Sequence, residues 1–302
     1  MDRKSLKIGM IGLDTSHVTA FTELLNRPDH PYHVPGGKVI AAYPGGSPDF
    51  ELSYSRVQGY TDTLSGTYGV RIMDSMENVA EDCDVLLLES VDGRVHMEQF
   101  ERIAPYGKPV FIDKPFAVAS KDALAIAETA RRYRVPIMSC SALRYAEGLI
   151  TVLNDGGTQS IIGMDCYGPT ALQPTQPGLF WYGIHTAEML FAGMGKGCIQ
   201  VTAAATDDHE FVTGLWKDGR IGTIRGNRRG NNQFGALIHR ASGTRAVDVH
   251  AHPKPYYASM LEGIMGMFRT GEAPIDLEET LEIIRFIEAA NESRAAGITV
   301  HL

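Results

Sequence analysis

Lys7-Ile8-Gly9-Met10-Ile11-Gly12-Leu13-Asp14-Thr15-Ser16-His17 is the stretch on which the fold turns. Its first half is an apolar run of strand character, Gly12 closes that run with a turn, and residues 18–25 continue with helical spacing. Strand, glycine turn and helix in this order resemble the opening of a dinucleotide-binding unit, whose fingerprint is Gly-x-Gly-x-x-Gly. The context fits and most of the residues do not. Gly12 matches the first glycine, Asp14 stands at the second and His17 at the third. A carboxylate at the second position adds bulk and like charge where backbone should approach a pyrophosphate. The competing reading is that Asp14, Thr15 or Ser16 caps the helix.

Outward from this stretch, short apolar runs alternate with helical patterns. Residues 38–43 read as a strand stopped by Pro44-Gly45-Gly46, and residues 85–88 (Val-Leu-Leu-Leu), 109–112 and 135–138 read as strands buried on both faces. Residues 95–103 and 123–133 carry helical stripes, whereas the Gly-, Pro- and Ser-rich residues 44–60 read as a long loop. Such alternation predicts βαβ units in a doubly wound parallel sheet of order 3-2-1-4-5-6. Beyond residue 143 the strands follow one another without helices: 158–167, 198–206, 211–216, 220–225, 236–239 and 246–250, with Asp218-Gly219 as a hairpin turn. Two helices close the chain, 256–268 and 277–296, the second with Asp276 as N-cap and Gly297 just past its end. The expected architecture is an α/β chain. A Rossmann-like dinucleotide-binding domain spans residues 1–142. An α+β domain with an open, mainly antiparallel sheet spans residues 143–302 and serves substrate binding and oligomerisation.

The 302 residues carry 28 basic and 36 acidic side chains, a net charge of −8, which disfavours nucleic acid and anionic membrane as partners. The four cysteines, Cys83, Cys140, Cys166 and Cys198, form no CxxC pair, and reduced thiols in a cytoplasm are expected. Met1-Asp2-Arg3-Lys4-Ser5 runs straight into the first strand with no signal-like run, and no apolar stretch is long enough to span a bilayer.

Gly107-Lys108-Pro109-Val110-Phe111-Ile112-Asp113-Lys114-Pro115 follows a strand that ends in Glu89-Ser90 and leads to His96. The acid-Lys-Pro tripeptide resembles the Glu-Lys-Pro motif of the Gfo/Idh/MocA oxidoreductases, with Asp for Glu. Leu143-Arg144-Tyr145 and Gly183-Ile184-His185-Thr186-Ala187-Glu188 resemble that family's strand-end Arg and its GxHxxD segment. The resemblance implies hydride transfer between a carbinol carbon and a nicotinamide, with Lys114 and His185 shuttling the hydroxyl proton. It also implies a cofactor surface of Gly12, Leu13, Asp14, Thr15, Ser16, His17, Ser47, Glu89, Ser90, His96, Asp113, Lys114 and Arg144. The acid that precedes the catalytic His in many relatives is Trp181 here; Tyr182 takes part of its role, or Trp181 and Tyr182 form a sugar-stacking platform or a packed core pair. No acid ends the second strand to hold a ribose 2′-OH, and Ser47 or Arg56 would favour a 2′-phosphate, so the cofactor is NAD or NADP. A sugar, polyol or sugar acid is the implied substrate, an Arg-rich lip at Arg225, Arg228 and Arg229 would suit it, and the open sheet implies a homo-oligomer. The alternatives are a sugar enzyme without net redox (elimination, hydrolysis or epimerisation) and a cofactor-free sugar-binding or regulatory protein. Asp14, Glu89 and Asp113 with His17 and His96 include metal-ligand types, but their spacing matches no metal motif, and no metal site is expected.

Overall fold

The computed structural model describes residues 5–302; residues 1–4, on which the expected lack of a leader partly rests, lie outside the described residues. In chain order the elements begin β1 (Leu6–Ile11), α1 (His17–Asn26), β2 (Gly37–Tyr43), α2 (Glu51–Tyr68), β3 (Arg71–Ile72), α3 (Met76–Asp82), β4 (Val85–Leu88), α4 (His96–Ile103), β5 (Val110–Ile112), α5 (Ser120–Tyr133) and β6 (Ile137–Met138). They continue α6 (Glu147–Asn154), β7 (Ile161–Pro169), α7 (Gly183–Met194), β8 (Cys198–Ala205), β9 (His209–Trp216), β10 (Ile221–Asn227), β11 (Gly235–Arg240), β12 (Gly243–Asp248), α8 (Tyr256–Thr270), α9 (Leu277–Ala296) and β13 (Val300–His301). Two compact units result. The first holds the chain up to Ala117 together with Lys121–Cys140 and Tyr257–Leu277, and the second holds Val118–Ser120, Ser141–Tyr256 and Glu278–Leu302.

The first unit is built on the expected sheet, six parallel strands in the order β3-β2-β1-β4-β5-β6. Every residue of β4 is buried, which is why it reads as an unbroken apolar run. Gly9 sits in β1 with no room for a side chain, because a Cβ would lie 2.4 Å from Val79. One sequence expectation fails here: residues 51–60 are not loop but the first part of α2. That helix is rich in Ser, Thr and Gly and buries only Ser53 and Leu64, so it carries no apolar stripe to betray it. It stops at Gly69, whose φ of 64° is a left-handed conformation that glycine adopts freely. Helix α8 returns to this unit, with Tyr257 edge-on to Phe21 of α1 at 5.5 Å.

In the second unit seven strands lie in the order β12-β11-β7-β10-β9-β8-β13. All pairs are antiparallel except β7 with β10, so the sheet is mixed but mainly antiparallel. The Asp218-Gly219 turn joins β9 to β10, with Gly219 at φ 86°. Helix α7 is buried along nearly its whole length. Phe191 on α7, Trp216 on β9 and Phe286 on α9 meet with ring centroids 5.5–6.4 Å apart. Gly214 makes space for them, since a Cβ there would lie 2.7 Å from Trp216 and 2.9 Å from Phe286. Along the same strands Ile162, Ile199, Phe211, Ile221 and Leu237 stay exposed.

Phe286→Ala removes the ring that closes this cluster. It is expected to destabilise the protein by about 3–5 kcal/mol, the usual range for truncating a buried Phe, as measured by urea unfolding. A loss under about 1 kcal/mol would mean that the aromatic cluster does not anchor α9 to the sheet.

Candidate active site

The carboxyl ends of β1, β4 and β5 lie beside the point where strand order reverses, the usual ligand crevice of such sheets. Gly12 follows β1 at φ 86°, and a Cβ there would lie 2.3–2.6 Å from Ser90. Only glycine lets the turn after β1 press against the segment after β4. The Gly12 amide donates to Tyr43 O at 3.0 Å and the Leu13 amide to Pro44 O at 2.7 Å, which fastens the turn to the exit of β2.

Asp14 is fully buried. Its Oδ1 accepts from the Val91 amide at 2.9 Å and its Oδ2 from Ser53 Oγ at 2.6 Å, while Ser53 Oγ accepts from the Ser47 amide at 2.8 Å. The carboxylate therefore does not cap α1, whose N-cap residue Ser16 makes no side-chain cap bond. Burial pushes the Asp14 carboxyl above its ordinary range, against the opposing hydrogen bonds of Ser53 and Val91. Thr15 is buried and Ser16 exposed in the same turn, and Ser47 is buried inside the Asp14–Ser53 network.

His17 Nδ1 lies 3.0 Å from Asp113 Oδ2 and 3.7 Å from Glu89 Oε2. Its ring is stacked on Phe21 at 5.3 Å and meets Tyr257 edge-on at 5.1 Å, so its direction is fixed by packing. Glu89 follows β4 and Asp113 follows β5, and both are buried. Burial alone would lower His17, but the charge and hydrogen bond of Asp113 outweigh it and push the imidazole up to about 9. Burial raises Glu89 to about 7, against the pull of His17. Burial also opposes ionisation of Asp113, yet His17 and Lys114 hold it below the usual carboxylate range. Lys114 is 8% exposed, a buried lysine at a strand end. Of the five residues considered for a metal, the structure brings His17, Glu89 and Asp113 together and leaves Asp14 and His96 in other bonds. His96 is completely buried, with Nδ1 3.0 Å from Pro115 O and Nε2 2.8 Å from Ser90 O. It pins the Lys114-Pro115 loop to the segment after β4. Ser90 Oγ is buried without a hydrogen-bond partner among the described residues.

These residues fit a dinucleotide. Gly12 keeps the glycine turn, the inward Asp14 carboxylate is satisfied within the protein, and α1 presents its N-terminus at the crevice, where anions are favoured.

The second unit supplies a separate group. His185 lies in the first turn of α7, with Nδ1 2.6 Å from Ser141 Oγ. Ser141 Oγ also accepts from the Leu143 amide at 3.2 Å. Tyr182 and Phe234 meet the His185 ring edge-on at 5.3 and 5.7 Å and stack on each other at 6.4 Å, and Trp181 lies 6.4 Å from Tyr182. One helical turn on, Glu188 Oε2 accepts from Arg144 Nη1 at 3.3 Å, and Arg144 also pairs with Glu279. Burial raises Glu188 to about 7, with Arg144 and the Ser141 amide pulling the other way. Arg144 is thus engaged by two carboxylates. In the lip, Arg228 is held by Glu210 and Arg229 by Asp208. Ser141, Ser53, Phe234 and Tyr257 were not found by sequence reasoning. Ser141 stands two residues before the quoted Leu143-Arg144 segment, and nothing in its spacing marks it.

Residues 6–140 match the model of a family described as oxidoreductases with an NAD-binding Rossmann fold, Gfo/Idh/MocA. No curated protein matches the sequence. Solved structures resemble it end to end. A probable dehydrogenase from Thermotoga maritima aligns at TM-score 0.81 with 18% identity, covering 98% of each chain. A myo-inositol dehydrogenase from Corynebacterium glutamicum aligns at 0.79 with 16% identity, covering 99% of each. An oxidoreductase from Agrobacterium radiobacter, solved with NAD+, L-tartaric acid and magnesium, aligns at 0.73 with 16% identity, covering 99% of this chain and 98% of the other. At such identities the likeness establishes the fold.

Two outcomes are expected from these geometries. Asp14→Gly leaves the Val91 amide and the Ser53 hydroxyl without their acceptor; at about 1–3 kcal/mol for each unsatisfied buried group, it should cost roughly 2–6 kcal/mol. Because the carboxylate already faces inward, the change should not tighten NAD+ binding in calorimetry, and a tighter Kd would show that Asp14 obstructs the phosphates. The second outcome concerns Glu188, whose folded pKa of about 7 exceeds its ordinary 4.5. Its contribution to stability is full below pH 4.5 and is lost as pH rises through 7, a change of about 3 kcal/mol. Glu188→Gln should flatten that part of the stability curve in urea titrations across this pH range, and an unaltered slope would refute the assignment.

Proposed function

Because residues 6–140 match the model of the Gfo/Idh/MocA oxidoreductases, we propose that the chain is a member of that family and oxidises a carbinol carbon of a sugar, polyol or sugar acid, with NAD as its cofactor. The observation that carries this reading is Asp113-Lys114-Pro115 at the end of β5, with Lys114 buried beside the crevice rather than displayed on the surface. When bound, the nicotinamide supplies the hydride acceptor. Gly12 and the backbone at Thr15 and Ser16 hold the pyrophosphate at the start of α1.

Lys114 hydrogen-bonds the substrate hydroxyl and lowers the cost of its developing negative charge. His185 takes the hydroxyl proton on Nε2 in the tautomer whose Nδ1–H donates to Ser141 Oγ. Ser141 thereby does for His185 what an acid does in many relatives, holding the ring without adding a charge. Tyr182, Trp181 and Phe234 offer ring faces to the apolar side of a polyol. The exposed apolar residues along β7 to β11 support a homo-oligomer, and four free, buried cysteines suit a reducing cytoplasm. Among the described residues no helix is long and apolar enough to cross a membrane.

A panel of inositols, aldoses and sugar acids with NAD+, followed by NADH absorbance, tests the reading. Lys114→Ala should lower kcat/KM on the best substrate by about 10²–10⁴, the range for a lost acid–base group. Unchanged turnover would remove Lys114 from the chemistry. If NAD+ fails to bind the folded protein at millimolar concentration, the oxidoreductase reading fails.

A further inference from the structure

We propose that His17, Glu89 and Asp113 form a site for one divalent first-row transition ion, with coordination positions left open for two oxygens of a hydroxy acid or vicinal diol. The ligand atoms of the three side chains all lie within 4.8 Å of one another, and the two measured separations from His17 Nδ1 are 3.0 and 3.7 Å. With metal–ligand bonds of about 2.0–2.2 Å, atoms sharing an ion stand about 3–4 Å apart, so little movement is needed to close the set.

The alternative is a plain ion pair between His17 and Asp113. With His17 also 3.7 Å from Glu89, that pair sets a single imidazole against two buried carboxylates and brings no hydrogen bond within range of Glu89. Glu89 is 0% exposed, and both its carboxylate oxygens lack a hydrogen-bond partner among the described residues. A buried carboxylate without donors is strongly disfavoured unless a cation compensates it. Lys114 adds positive charge nearby but gives Glu89 no hydrogen bond. The scaffold is also fixed. Glu89 and Asp113 follow the paired residues Leu88 and Ile112 of neighbouring strands, and the His17 ring is held between Phe21 and Tyr257.

The donor set selects the ion. One imidazole and two carboxylates suit Mn2+, Fe2+ or Zn2+, whereas Ca2+ takes six to eight oxygens and thiolate-seeking ions find no sulfur here. Three protein ligands are the number found where a metal keeps a position open for substrate, and the crevice at the strand ends is where substrate is expected. Such an ion would orient adjacent substrate oxygens. No spacing motif announces the site because its ligands come from three separate elements. The inference stands on the first unit alone and needs neither NAD nor His185.

The test is titration of MnCl2 into the full-length protein stripped with EDTA, read by calorimetry and by loss of the free Mn2+ resonance signal. One ion per chain at micromolar affinity is expected, with Glu89→Gln and His17→Ala each weakening it by at least about tenfold. Both variants are checked for folding by circular dichroism, and Glu89→Gln, nearly isosteric, keeps the test valid if His17→Ala unfolds. Absence of binding, or binding that neither folded variant weakens, overturns the site. NAD+ is titrated separately in EDTA. NAD+ binding without Mn2+ binding rejects this inference and leaves the proposed function, whereas Mn2+ binding without NAD+ binding does the reverse.

Discussion

The buried carboxylate of Asp14 joins the three loops from which the first unit's crevice is made. It reaches Ser53 on α2 and the Val91 amide after β4 from the turn after β1, and through Ser53 it also holds the Ser47 amide. Gly12 makes that convergence sterically possible, since any side chain there would run into Ser90. The two residues act together: glycine permits the approach and the carboxylate fixes it. The placement of His17 follows, because the helix it opens is positioned by the same turn.

A carboxyl group in this position is tolerable because both its oxygens are satisfied by donors, which oppose the burial that favours its protonated form. Glu89, one loop away, has no such donors. The contrast between two buried carboxylates, one bonded and one not, is what separates a structural acid from a candidate ligand. The second unit handles its charges differently. Arg144 is flanked by Glu188 and Glu279, and Glu188 is supported by the Ser141 amide, so the residue that holds His185 is itself held from behind.

Much of the architecture was legible in residue patterns. The Val85–Leu88 run, the Gly12 turn and the Asp218-Gly219 hairpin each depend on local chemistry, namely burial on both faces or a backbone conformation that glycine favours. Helix α2 was not legible, since it buries only Ser53 and Leu64 and so carries no apolar stripe. Nor was the return of α8 to the first unit, where Tyr257 covers His17. Apolar periodicity reports that a helix has a buried face but not which sheet buries it.

The sequence by itself determined the strand order of the first sheet, the two-part organisation and the residues whose chemistry stood out, Lys114 and His185 among them. These follow from local periodicity and from short motifs read in one stretch. Tertiary structure alone decided what surrounds them. Asp14 turned inward rather than capping its helix, and His96 took two backbone carbonyls. Ser141 supplied the partner of His185 across 44 positions. His17 at the start of α1 met Glu89 and Asp113 from the ends of β4 and β5. Most of these are contacts between residues far apart in the chain, and their existence depends on the register of strands and the packing of helices, which no local pattern of side chains encodes.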